Sequence, residues 1–199
     1  MMLHSRSLLA TTAAALLLSG CLSFGGKTPD SLLTLSTAAT PLPANMPRAG
    51  TTATSLTVLI PNTPQKLRTP RVPVQTGATA IAYVKDAVWV EPPARLFQRL
   101  LSETIAARGN RLVLDESQYV TGPGELLSGE LTEFGVDADR LEVVVVYQAL
   151  RLQRDGNGVI QQRFEARESV SAIEPALVGA ALNSAANKVA GDVAAWVAG

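Results

Sequence analysis

The chain has 199 residues, with 17 Lys plus Arg balanced by 17 Asp plus Glu and 47% hydrophobic residues. That length supports one core of ordinary size plus flanking chain. A formal net charge of zero carries no basic surplus of the kind nucleic acid or an anionic membrane surface requires.

Residues 1–7 carry His4 and Arg6, and residues 8–18 form an apolar run without a charge. These are the n-region and h-region of a secretory signal peptide, and the run is far short of the roughly 20 residues that span a bilayer. Leu18-Ser19-Gly20-Cys21 resembles a bacterial lipobox. In that motif small side chains enter a protease cleft, and the cysteine thiol takes a diacylglyceryl group before cleavage and N-acylation. Residues 1–20 are therefore read as a lipoprotein signal peptide and Cys21 as the lipidation site, bearing acyl chains of the palmitate type. Leu22 follows the cysteine. Without the aspartate of an inner-membrane retention signal there, the expected location is the outer membrane, lipid-anchored and facing the periplasm.

The chain has one cysteine and one histidine. Lipidation uses the thiol and cleavage removes His4, so no intramolecular disulfide, Ser-His-Asp triad, Cys-His pair or usual zinc site remains. Glu91, Asp115, Glu116, Glu130 and Glu133 supply carboxylates, but nothing in the sequence faces any two across a substrate. A solvated charged face explains them better than a carboxylate-based enzyme. No metal, cofactor or catalytic residue is expected.

After the cysteine, residues 22–30 are small, polar and broken by Gly and Pro. Residues 31–35 read as a short first strand, and 36–55 as an Ala/Thr/Pro-rich irregular loop. The boundaries drawn are 21–54 for the lipidated N-terminus and flexible tether, and 55–199 for the folded domain. Residues 56–60 alternate and end at Pro61, as a strand before a turn does. Residues 67–74 hold Pro70 and Pro73, which suit an edge or merely extended segment. Residues 79–84 form a further strand closed by Lys85-Asp86, and 88–91 a short apolar one stopped by Pro92-Pro93.

Those prolines open a helix over 94–107. Leu96, Phe97, Leu100, Leu101, Thr104 and Ile105 recur on one face, and Gly109 stops it. Residues 112–114 form a short strand. Residues 125–134 form another, with Gly129 marking a bulge or close contact. Residues 141–152, apolar on both sides at Val143 to Val146, read as an interior strand. A turn at 155–158 joins them to 159–168 as a hairpin. Gathering Leu150, Leu152, Ile160 and Phe164 predicts Leu150 opposite Phe164 and Leu152 opposite Gln162. The last segment, 174–198, carries the stripe Val178, Leu182, Ala185, Val189, Val193 and Trp196. It is an amphipathic packing helix and not a membrane span. The order predicts an α/β (α+β) two-layer sandwich. Its sheet is mixed and mostly antiparallel, with two helices on one face. The other sheet face or an edge is left to meet solvent, a partner or another copy.

Four stretches together resemble the ABC-type transport auxiliary lipoprotein family, which includes the paraquat-inducible protein C type. They are the lipobox at Cys21; Val58-Leu59-Ile60-Pro61 with the extended segment after it; Ala87 to Pro93 leading into Leu96 to Leu101; and the hairpin running into an alanine-rich final helix ending in Val193-Ala194-Ala195-Trp196-Val197. The resemblance implies a non-enzymatic accessory. Its partners would be an MCE-domain substrate-binding protein and an ABC permease/ATPase complex that move lipids or other apolar molecules across the periplasm. Trp89 and Tyr83 are the candidate docking side chains, each with a core-packing alternative. A homo-oligomer is left open. The competing reading is a structural or assembly lipoprotein of the pilotin kind.

Overall fold

The computed structural model describes residues 29–109, 111–118, 124–153 and 158–199. The chain divides into two units, Met1–Asp30 and Ser31–Gly199, and all the elements below belong to the second. Cys21 and most of the hairpin turn lie outside the described residues.

Seven strands make one mixed sheet. They are β1 (Leu56–Val58), β2 (Arg71–Gln75), β3 (Ile81–Val88), β4 (Val113–Asp115), β5 (Glu125–Asp137), β6 (Glu142–Leu152) and β7 (Val159–Ser169). The helices are α1 (Pro93–Arg108) and α2 (Pro175–Ala198). The longest strand, β5, sits at the centre. One of its edges pairs antiparallel with β6 from Leu126 to Asp137. Its other edge is shared in parallel by β1 at Glu125 to Leu127, Asn62 at Glu130, and β2 at Val136 and Asp137. Outside these lie β4 beside β1, β3 beside β2, and β7 beside β6.

The sheet sorts its side chains by parity. Leu127, Leu131, Phe134 and Val136 of β5 stand opposite Arg151, Tyr147, Val145 and Val143 of β6; all but Arg151 are buried under the helices. A register shift between Leu131 and Glu133 changes which parity faces inward. Both helices open on proline and neither first turn has a side-chain cap bond. Their apolar stripes fall as the periodicity predicts, with Leu96, Phe97, Leu100 and Leu101 of α1 and Val178, Leu182, Ala185 and Val189 of α2 buried. Among the described residues no helix is long and apolar enough to cross a membrane. Gly109 ends α1 in an extended conformation, φ −102°, donating its N–H to the Ile105 carbonyl, and not in the left-handed form common at helix ends.

Three expectations about the sheet are corrected. First, β2 is interior, between β3 and β5. Pro73 is tolerated there because the ladder to β5 starts only at Val74, so the missing N–H costs no bond. Second, the two strands expected over 79–84 and 88–91 are largely one strand, β3. It continues through Lys85-Asp86 as an irregularity with Asp86 at φ 59°. Third, the β6–β7 register pairs Leu150 with Gln161, Leu152 with Val159 and Tyr147 with Phe164. Even-numbered residues of β6 face away from the helices, so Leu150 cannot share a face with Phe164, which packs edge-on against Trp196 of α2 at 5.6 Å.

Residues 31–40 are held against the domain. Leu33 bridges Trp89, taking the Val88 carbonyl and giving its own to the Val90 N–H, at 2.8 and 2.9 Å. Leu35 enters the core. Asn183 Oδ1 and Asn187 Oδ1 of α2 accept from the Ser36 and Ala38 N–H groups at 2.9 and 2.7 Å, and Asn187 Nδ2 donates to the Ser36 carbonyl at 2.9 Å. Two asparagine amides thus satisfy backbone that would otherwise be bare, much as a strand neighbour does.

Gly129 is the tightest point. At φ 148°, an added Cβ meets the Gln148 carbonyl oxygen at 2.2 Å and the Tyr147 ring at 2.9 Å. Tyr147 lies across it, donating to the Ser128 carbonyl at 2.6 Å, and its burial pushes the phenol pKa far up. Gly129→Ala should lower stability by about 2 kcal/mol or more, a melting shift of roughly 4–8 °C. Thermal unfolding of the two proteins side by side reads this directly.

Candidate docking surface

Among the described residues, the face of the sheet away from the helices has no second layer of secondary structure, yet Val144 and Val146 on it are buried. Charged side chains cover them. Lys66 reaches Glu133 at 2.5 Å. Arg167 bonds Glu165 at 2.7 Å and lies 3.6 Å from Glu142 and 3.8 Å from Asp137. Arg163 pairs with Glu165, and Arg140 with Asp137 at 2.8 Å. The aliphatic stems of these residues shield the valines while their heads stay wet. Hydrogen bonds from Arg167 and then Arg163 hold the Glu165 carboxyl below its ordinary range, and Arg140 does the same for Asp137.

Tyr83 belongs to this face. It stands opposite Pro73 on β2, whose ring lies against Gly135, and the Arg71 guanidinium sits 4.1 Å above its ring. It is half-buried on β3, whose outer edge has no strand partner over Ile81 to Asp86 among the described residues. Ile81 and Val90 nearby are exposed. Trp89, the other docking candidate, is corrected: it is 1% exposed and tilts against Phe134 at 5.4 Å. The reversal from Val88 to Trp89 follows strand parity, which turns the indole under the helix layer. Arg71 is the residue sequence reasoning missed, and only the strand pairing could have found it.

The carboxylates weighed for catalysis are dispersed. Glu91 is held by Arg99 at 2.8 Å and Glu133 by Lys66. Asp115, which accepts from the Ser117 hydroxyl at 2.6 Å, and its neighbour Glu116 line one shallow cleft with Arg95 and Gln98, away from the others, and Glu130 is exposed opposite Gln148. Among the described residues no group of three or more His, Cys, Asp or Glu is placed to hold a metal ion. Far from this surface, Glu125 is clamped between Arg111 and Arg151. Arg151 also donates to the Trp196 carbonyl at 3.2 Å, fastening the end of α2 to the strands.

The two-layer arrangement, from the Leu33 bridge to the last turn of α2, coincides with a family profile that matches residues 34–194, described as the ABC-type transport auxiliary lipoprotein component. The chain belongs to this family. Its members are auxiliary components of ABC-type transport, which makes a transport accessory role the fitting description. No curated protein matches the chain. Among solved structures, a Xanthomonas campestris protein of family DUF330 superposes with a TM-score of 0.67 at 18% identity, covering 84% of this chain and 95% of its own. A second crystal structure, of a protein described as uncharacterized, gives 0.62 at 17% identity, covering 72% and 91%. Both show a shared fold.

The ion-paired face makes stability depend on acid. Carboxyls whose folded pKa is depressed contribute stability that is complete above their ordinary range and is lost as pH falls through it toward the folded value. Glu165, Asp137 and Glu168, the last held by Lys188 and Ser184, all act in this sense. Urea midpoints should stay level from pH 7 to about 5 and then fall below roughly pH 4.5. In Arg167→Met the acid limb should be shallower, because Glu165 loses the largest of its stabilising bonds.

Proposed function

We propose that this chain is a non-enzymatic accessory of an ABC/MCE-type transporter that moves lipids or other apolar molecules across the periplasm. Cys21 is its anchor in the outer membrane. The family match over residues 34–194 carries this reading. It favours a transporter partner over the pilotin-like alternative.

Three acyl chains at about 0.8 kcal/mol per buried methylene exceed what stable attachment needs. The ten residues from Cys21 to Ser31 can extend at most roughly 35 Å. The docking face is the charged sheet surface that includes Arg71 and Tyr83. Its recognition of a partner rests on matched charges across β5 to β7 with Arg71 and Tyr83 at the β3 edge, a pattern that gives specificity more than raw affinity.

Full-length protein extracted from envelopes with mild detergent should co-purify with a permease, its ATPase and an MCE-domain protein. Tyr83→Ala should cut that recovery severalfold while melting like the parent. Trp89→Ala should instead destabilise the domain by about 3–5 kcal/mol and lower its amount in the envelope. Recovery of the protein without any transporter subunit contradicts the partner assignment, and full recovery with Tyr83→Ala removes the docking face from it.

A further inference from the structure

A groove of about 510 Å³ lies beside α1, away from the ion-paired face. Its floor is Ala106 of α1 with Val113 and Leu114 of β4, and Pro41 and Leu42 close over it from the loop before β1. The α1 residues lining it, Ser102 and Ala106, are small; a larger side chain at either would intrude into it. Strand β4 has no neighbour on its outer edge among the described residues, so the wall beyond it stays open. Val113 and Leu114 are half-buried and Leu42 is 44% exposed, leaving apolar surface wet in a concavity of ligand-binding size.

The charge lining this groove has one sign. Glu103 and Asp115 are its ionisable residues, and no Lys or Arg lines it. Glu103 forms no ion pair among the described residues, whereas the Asp115 carboxylate is fixed by the Ser117 N–H at 2.8 Å and the Ser117 hydroxyl. These bonds hold the Asp115 carboxyl below its ordinary range, which keeps that edge of the groove anionic at neutral pH, while the Arg48 guanidinium is turned onto the Ala106 and Gly109 carbonyls at 2.9 Å. The Ser102 hydroxyl oxygen is itself buried without a hydrogen-bond partner.

We infer that this groove binds a single aliphatic chain whose polar end is neutral or cationic, such as an amine, and rejects chains ending in a carboxylate or a bare phosphate. An apolar wall gains by covering methylenes, about threefold to fourfold in affinity for each one buried. The rim sets the sign of the headgroup through Coulomb interaction with two carboxylates, which amounts to about tenfold between an ammonium and a carboxylate at the same place. The accessory therefore touches apolar cargo itself as well as docking the transporter, a meaning that rests on the transport reading above.

The probes are photoreactive dodecylamine and photoreactive dodecanoic acid of identical chain, added to native membrane vesicles containing the full-length protein. Labelled peptides are mapped by mass spectrometry. The amine should label peptides containing Ala106 and Val113, saturably and in competition with plain dodecylamine, and the acid at least about tenfold less. Ala106→Trp should abolish the labelling, with Ser102→Leu as a second filling variant where the tryptophan disturbs folding. Glu103→Gln should narrow the amine-to-acid ratio to about threefold at an unchanged melting temperature. Equal labelling by amine and acid in the parent protein overturns the inference, as does labelling that survives both filling variants in folded protein. The Ala106→Trp protein should still co-purify with the transporter. Lost labelling with retained partners concerns the groove, whereas retained labelling with lost partners contradicts the transport reading alone.

Discussion

The fold depends on β5 being paired along both edges. β6 runs beside it for nearly its whole length, while β1, Asn62 and β2 divide the opposite edge between them. A strand so enclosed fixes the parity of every neighbour, because slipping one residue turns its apolar set to water. The tight contact of Gly129 with Tyr147 and the Gln148 carbonyl pins that register at one point. The irregularity at Leu131/Glu133 then passes the inward-facing role from one parity to the other. The helices, Trp89 on Phe134 and Phe97 against Tyr147 at 5.3 Å all sit on the face this register selects.

The two faces of the sheet consequently meet different surroundings. One is dry and apolar beneath α1 and α2. The other hides Val144 and Val146 under arginine, lysine and glutamate side chains rather than under a second layer. A surface of alternating charges resists indiscriminate hydrophobic association, yet it still presents complementary potentials to a chosen partner. The groove at β4 complements that face: it is apolar inside and acidic at the rim, and it lies elsewhere on the molecule.

Both helices were legible because their apolar steps repeat over many turns, and proline opened each one. Most strands were legible too, as was the interior position of β6, although β3 was divided into two. The hairpin register was not. β6 is apolar on both faces, so gathering the most apolar side chains selects no unique pairing. Pro73 suggested an edge for β2, but a proline just before the ladder begins loses nothing. Trp89 looked as fit for a surface as for a core, since only its strand's parity decides between them. Residues 31–35 were read as a strand, but the asparagine contacts to Ser36 and Ala38 were invisible, because Asn183 and Asn187 lie 147 to 151 positions further along the chain. At the candidate docking face Tyr83 could be named from sequence, but its neighbour Arg71 required the β2–β3 pairing. Cys21 is the reverse case, read from sequence alone.

Everything said of location and reach hangs on that cysteine. The most direct measurement is mass spectrometry of the N-terminal peptide from protein extracted out of the cell envelope. The account predicts a peptide that begins at Cys21, carries three acyl chains and lacks residues 1–20. A free Cys21 thiol, or a chain still bearing residues 1–20, would contradict it.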